Sequence, residues 1–229
     1  MVAELNIFSE TLNKTEKFGE ELPVERVGLI GGSFNPPHIA HLIMAEQARV
    51  QLGLDKVYFL PSHIPPHVDE KKTIDASTRV EMTRLAIQDN IYFDIETIEL
   101  ERNEKSYTYD TIQLLKRKNP NTEYYFIIGG DMVDYLPTWH RVDELVHEVQ
   151  FVGVERPGYE KETPYPVLWI TAPKMDISST QIRKNVLFQQ SIKYLVPELV
   201  EAYIAEKGLY LEWAKYKALN HIQQWQEKS

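Results

Sequence analysis

The sequence predicts a doubly wound α/β fold with a mainly parallel sheet, built as a single domain, and three observations predict it. Short runs of β-branched and aromatic residues alternate with longer stretches of helical periodicity along most of the chain. A loop rich in glycine and proline follows the first of those runs and opens a helix. The length, 229 residues, suits one sizeable core with short additions rather than two enzyme domains and a linker. An eightfold β/α barrel is the rival architecture at this length, but only about six strands are legible where it needs eight.

The elements follow in order. Residues 1–23 are polar and acidic, end at Pro23, and read as an N-terminal extension to a main domain at 24–210. Residues 27–30, Val-Gly-Leu-Ile, form a buried-strand run, and the loop 31–37 follows it. The next helix places Ile39, Leu42, Ile43, Glu46 and Val50 on one face, and Gly53 stands where a left-handed cap belongs. Residues 56–60 make the second strand and complete a βαβ unit. Thr78 and Glu81 have the spacing of a capping box ahead of Met82, Leu85 and Ala86, and a third strand is expected at 92–95. A helix beginning at Thr108 or Asp110 runs through Ile112 and Leu115 to Asn119 and Pro120, where proline forces a stop. Residues 124–128, Tyr-Tyr-Phe-Ile-Ile, are the clearest buried strand, and further strands are expected at 150–154 and 167–171. Helices near 179–187 and 197–207 close the domain. Residues 211–229 predict an amphipathic helix with Leu211, Ala214, Ala218, Ile222 and Trp225 in one stripe, facing either its own domain or a second copy in a homodimer.

Composition removes several function classes. With no cysteine there is no thiol nucleophile, disulfide or cysteine-bound metal. A net charge of −9 argues against a broad surface for nucleic acid, although a local basic pocket for a small phosphate is compatible with it. No stretch has the length and apolarity of a membrane helix, and the start lacks the apolar region of a signal peptide, so a cytoplasmic protein is expected.

The densest chemical signal is Gly31-Gly32-Ser33-Phe34-Asn35-Pro36-Pro37-His38-Ile39-Ala40-His41, between the first strand and the first helix. In an open parallel sheet that is the carboxyl end of a strand, where ligands bind. Glycines let backbone N–H groups approach an anion, and the helix N-terminus adds about 0.3–1 kcal/mol for each exposed contact. His38 and His41, three apart, share a face there. The loop is neither the dinucleotide fingerprint nor a Walker loop, because Asn35 to Pro37 replace the glycines and no Gly-Lys-Ser/Thr follows. Zinc is poorly served as well, since His147-Glu148 has no second histidine four residues on. His63 and His67 flank prolines and cannot share a helix face. A second signal is Ile177-Ser178-Ser179-Thr180-Gln181-Ile182-Arg183, in which Ser178 or Ser179 caps a helix and Arg183 lies one turn along it. Asp131 follows the strongest strand, either as a ligand contact or as a helix cap, and Trp139 follows Pro137 in a loop, either as a stacking plate or as core.

The two motifs, about 140 residues apart, together with Leu60-Pro61-Ser62, Pro65-Pro66-His67, Ser106 to Thr111, Ile128-Gly129-Gly130-Asp131 and Leu136 to His140, resemble bacterial nicotinate-nucleotide adenylyltransferases of the nucleotidyltransferase superfamily. The resemblance covers roughly residues 24–210. It implies a Rossmann-like fold and adenylyl transfer from ATP, with Mg²⁺, to nicotinate mononucleotide. It also implies roles: His38 and His41 on the ATP phosphates, backbone amides of Gly32, Ser33 and Phe34 beside them, and Arg183 with Ser179 on the outgoing pyrophosphate. Gly129 and Asp131 would hold the adenosine ribose, Trp139 would stack on the nicotinate ring, and Tyr107 and Thr108 would offer amides to its carboxylate. Two departures stand out. Ala40 replaces the glycine usual between the histidines, and Val68 follows His67 where a base is common, leaving Lys71 and Lys72 as the nearest cations. Adenylyl transfer to nicotinamide mononucleotide or phosphopantetheine, and a non-catalytic nucleotide sensor, are the alternatives. No metal ligand is assigned.

Overall fold

The computed structural model describes residues 23–63, 74–102, 107–154 and 163–211. The expectations for residues 1–22, for Pro65, Pro66, His67, Lys71 and Lys72, for Ser106, and for the C-terminal stripe beyond Leu211 lie outside the described residues.

Six strands form one parallel sheet: β1 (Glu25–Gly32), β2 (Lys56–Pro61), β3 (Phe93–Ile95), β4 (Thr122–Gly129), β5 (Gln150–Val154) and β6 (Val167–Ile170), in the order β3-β2-β1-β4-β5-β6. The longer helices are α1 (Ile39–Leu52), α2 (Ala76–Ile87), α4 (Thr108–Lys118), α7 (Ser179–Leu187) and α8 (Glu198–Glu206). Between them come the short α3 (Ile98–Glu101), α5 (Gly130–Val133) and α6 (Val142–Leu145), with a 3₁₀ turn at Leu136–Thr138. Of these short pieces the sequence suggests only the helix at Asp131, as one of the two readings of that residue.

Alternation along the central strands separates two cores. Leu29, Phe126 and Phe151 face the side covered by Ile112 and Leu115 of α4. Ile30, Ile127 and Val152 face the side covered by Ala45 and Ala48 of α1 and Ile87 of α2. A third cluster joins Met82 of α2 to Ile182 of α7, Val200 and Ile204 of α8, and Tyr210. The order of strand addition reverses between β1 and β4: from β1 the sheet grows toward β2, and from β4 toward β5. The crevice beyond the carboxyl ends of those two neighbours is the switch point at which such sheets bind ligands.

Three local expectations are corrected. The seat of α1 is Ala40, Ala45 and Ala48, whereas Val50 is 59% exposed. Small side chains let the helix lie close on the sheet, so the row of larger apolar residues does not mark the contact. The cap of α2 is Asp75, whose carboxylate accepts from Thr78 N at 2.8 Å, Thr78 Oγ1 at 2.7 Å and Ser77 Oγ at 2.5 Å, so Thr78 lies inside the first turn rather than capping it. The third strand begins at Phe93, with Tyr92 outside it. Gly53 does take the left-handed conformation, φ 61°, and closes α1 with its N–H on the Arg49 carbonyl.

Candidate active site

A cavity of about 780 Å³ opens at the switch point, near the upper end for small-ligand sites. The loops leaving β1 and β4 form its floor through Gly32, Ser33, Gly129 and Asp131. Three helix N-termini meet at its wall. His38 precedes α1, Tyr107 and Thr108 begin α4, and Ser178 and Ser179 begin α7, and all five residues line the cavity. Among the described residues no side chain caps α4, and the first turns of α1 and α7 hold no acid. Converging N-termini make a field that favours anions in a chain whose net charge is −9.

The first motif is built so that its carbonyls face away from that field. Ser62 N–H donates to the Gly32 carbonyl at 3.0 Å, and Arg79 Nη1 to that of Ser33 at 2.9 Å. Arg183 Nη1 donates to the Asn35 carbonyl at 2.7 Å, and Ser179 Oγ to that of Pro36 at 2.7 Å. The Tyr210 hydroxyl, whose pKa burial drives upward, donates to Asn35 Oδ1 at 2.9 Å. Phe34 takes φ 46°, and its ring is buried against Phe59 and the edge of His41. Four elements therefore grip one loop from behind.

His38 and His41 stack with ring centroids 3.6 Å apart and planes 23° apart, and both line the cavity. The His38 backbone N–H donates to His41 Nδ1 at 3.1 Å. An accepting Nδ1 carries no proton, so in the neutral ring the proton is on Nε2, which becomes a donor. The substituted position between them is harmless to the cavity, because the Ala40 methyl is buried and is not part of the wall.

On the opposite side, Trp139 lines the cavity while its ring meets Phe126 at 5.7 Å and Phe151 at 5.7 Å, both edge-on. It thus lines the cavity and packs against the core at once. Asp131 lies in the first turn of α5, whose cap is Gly129, so Asp131 is not the cap. Tyr107 packs against His140 at 4.5 Å.

Two expected site residues do not line the cavity. The Phe34 side chain belongs to the core. Arg183 is not part of the cavity wall: its Nη1 donates to the Asn35 carbonyl at the rear of the first motif at 2.7 Å, and its Nη2 to Thr180 Oγ1, one turn ahead on the helix, at 3.1 Å. Several residues escape sequence reasoning, among them Asp176, which lines the cavity, and Tyr210, which holds Asn35, together with Glu99 and Arg79. Glu99, 5% exposed, lines the cavity and accepts from Thr111 Oγ1 at 3.0 Å. Arg79 is 1% exposed. Its signal is in the sequence all the same, since it occupies a position in line with Met82, Thr83 and Ile87, the buried stripe of α2.

A switch-point cavity walled by three helix N-termini and a Gly-Gly-Ser loop defines a nucleotide-binding protein of the nucleotidyltransferase class, and the cytidylyltransferase-like family matches residues 29–185. Two relatives named "probable nicotinate-nucleotide adenylyltransferase" are close in sequence. The one from Enterococcus faecalis is 60% identical over 186 residues, 81% of this chain and 85% of its own. The one from Lactiplantibacillus plantarum is 59% identical over 189 residues, 82% of this chain and 90% of its own. The chain belongs to the nicotinate-nucleotide adenylyltransferase family. The fold is that of the Plasmodium falciparum nicotinic acid mononucleotide adenylyltransferase complexed with NaAD, with a TM-score of 0.69 at 23% identity over 81% of this chain and 97% of that one. Among the described residues no helix is long and apolar enough to cross a membrane.

Proposed function

We propose that the protein transfers the adenylyl group of ATP to nicotinate mononucleotide, forming nicotinate adenine dinucleotide and releasing pyrophosphate. The observation that carries this reading is the meeting of the N-termini of α1, α4 and α7 on one cavity, since the two substrates bring a triphosphate, a phosphate and a carboxylate. The acceptor phosphate is already an anionic nucleophile at neutral pH. Its oxygen attacks the α-phosphorus in line, the bond to the β,γ-pyrophosphate breaks, and no covalent enzyme intermediate is needed. Catalysis is then orientation and charge neutralisation.

In this scheme His38, His41 and the amides of Gly32, Ser33 and Phe34 take the ATP phosphates. Ser179 and Arg183 serve the leaving pyrophosphate, with Arg183 acting through the Asn35 carbonyl that it holds. Gly129 and Asp131 serve the adenosine ribose. Amides of Tyr107 and Thr108 hold the nicotinate carboxylate, and Trp139 stacks on the ring. Mg²⁺ enters with ATP as part of the substrate. The cavity lining offers amides, imidazoles and hydroxyls as well as the carboxylates of Glu99, Asp131 and Asp176, and no metal ligand is assigned among them. We place the enzyme in the cytoplasm. The test is mass spectrometry of the products from ATP and nicotinate mononucleotide. The dinucleotide and pyrophosphate should appear one to one, whereas AMP or ADP alone would overturn the assignment.

A further inference from the structure

Arg79 is the largest fully buried side chain among the described residues, and it carries a charge. Burial lowers its pKa, with Asp75 and Tyr210 pulling the other way, yet a guanidinium stays protonated in proteins. Among the described residues its side-chain hydrogen bonds reach no carboxylate. All three go to backbone carbonyls: Nη1 to Ser33 at 2.9 Å, Nε to Ile74 at 3.3 Å and Nη2 to His63 at 3.4 Å. One side chain thereby ties the loop after β1, the loop after β2 and the approach to α2. An apolar residue of similar volume would fill that space without the cost of desolvating a cation, so stability alone gives little reason for an arginine there.

The Ser33 bond has a directional consequence. The Ser33 carbonyl and the Phe34 N–H belong to one planar peptide and point in opposite senses, so drawing the oxygen back onto Arg79 aims the amide the other way. The same peptide leads into Phe34, held at φ 46°, a conformation that a bulky residue keeps only when its surroundings over-determine it. The planar fork of a guanidinium supplies that constraint, and a lysine ammonium does not.

We infer that Arg79 is a positioning residue of the phosphate loop: from behind the cavity it fixes the Ser33–Phe34 peptide so that its amide, and with it the Gly32 to Phe34 cradle, is set for the phosphates of ATP. This rests on the proposed function, and it is specific in what it leaves alone. The nicotinate end is built from α4 and Trp139, which Arg79 does not touch.

The test uses the full chain with Arg79→Lys and Arg79→Met, measuring unfolding temperature, pyrophosphate binding by calorimetry, and KM for each substrate. Misplacing a binding group by ~1 Å costs about a hundredfold in rate, so both variants should lose about that much kcat/KM for ATP. Pyrophosphate affinity should fall about tenfold or more, with lysine less damaging than methionine, while KM for nicotinate mononucleotide stays within about twofold. If Arg79→Met does not fold, Arg79→Lys decides. Folded variants that bind pyrophosphate like the parent, or that lose both substrates equally, overturn the inference. A parent protein that neither binds pyrophosphate nor uses ATP overturns the functional reading instead.

Discussion

Replacing Trp139 by alanine separates the nicotinate end of the cavity from the ATP end. The indole has two debts to the structure: edge contacts at 5.7 Å with Phe126 and 5.7 Å with Phe151, and a surface facing the cavity. Each edge contact is worth about 0.5–1.5 kcal/mol beyond burial, so the pair contributes roughly 1–3 kcal/mol. With the burial lost on truncation the total is about 3–5 kcal/mol, an unfolding temperature lower by roughly 6–20 °C for a domain of this size. Stacking of a base-like ring on an aromatic side chain adds about 1–3 kcal/mol to binding, so KM for nicotinate mononucleotide should rise roughly five- to 150-fold. KM for ATP should change by less than about threefold, since the phosphate cradle belongs to α1 and the β1 loop. Trp139→Phe keeps a plate and should recover much of the loss. Initial rates with each substrate varied at saturating concentration of the other measure both constants. An equal rise in both, or a larger rise for ATP, would remove Trp139 from the nicotinate subsite.

Three further outcomes are expected. His38→Ala and His41→Ala should each lower kcat by at least about a hundredfold, since each removes a donor aimed at developing charge, and near-normal turnover in single-turnover assays would contradict that role. Arg183→Lys should fall about tenfold or more in kcat/KM for ATP, because a compact ammonium cannot hold both the Asn35 carbonyl and Thr180 Oγ1; unchanged steady-state kinetics would contradict it. Hydrogen bonds from Ser77 and Thr78 hold the Asp75 carboxyl at a pKa of about 2, below the ordinary aspartate value of 3.8, so its stabilising effect is complete above pH 3.8 and is lost as pH falls toward 2. After discounting for its exposure, Asp75→Ala should cost about 1 kcal/mol, or about 2–4 °C near neutral pH, and the gap to the parent protein should close toward pH 2; a gap that widens in acid would contradict the linkage.

What the sequence discloses depends on how local the cause is. The β1 run and the helix closed by Gly53 are set by neighbours in the chain and stand where expected, whereas Gly31 and Gly32, expected in the loop, extend β1. The face of α1 is not read correctly, because a close helix–sheet approach selects alanines and periodicity rewards bulk. The four-residue helices α3, α5 and α6 are too short to show a period. At the site, the liners Gly32, Ser33, His38, His41, Thr108, Asp131 and Trp139 are legible as motif members. The anchors behind them are not. Asn35 meets Tyr210 across 175 positions and Arg183 across 148, distances over which no local pattern operates. Arg79 is the intermediate case, since a charge in a buried stripe is visible once the helix is placed correctly.

The most direct measurement is pyrophosphate release from MgATP by the full chain, followed with no acceptor, with nicotinate mononucleotide and with its amide counterpart. Release should depend on an acceptor, and the acid should be favoured by roughly tenfold or more in kcat/KM, because a carboxylate at the α4 amides makes charge-assisted bonds worth about 1.5–3 kcal/mol that an amide cannot make. Release without an acceptor, or equal efficiency with acid and amide, would contradict the assignment of the α4 N-terminus to the nicotinate carboxylate and with it the proposed reaction.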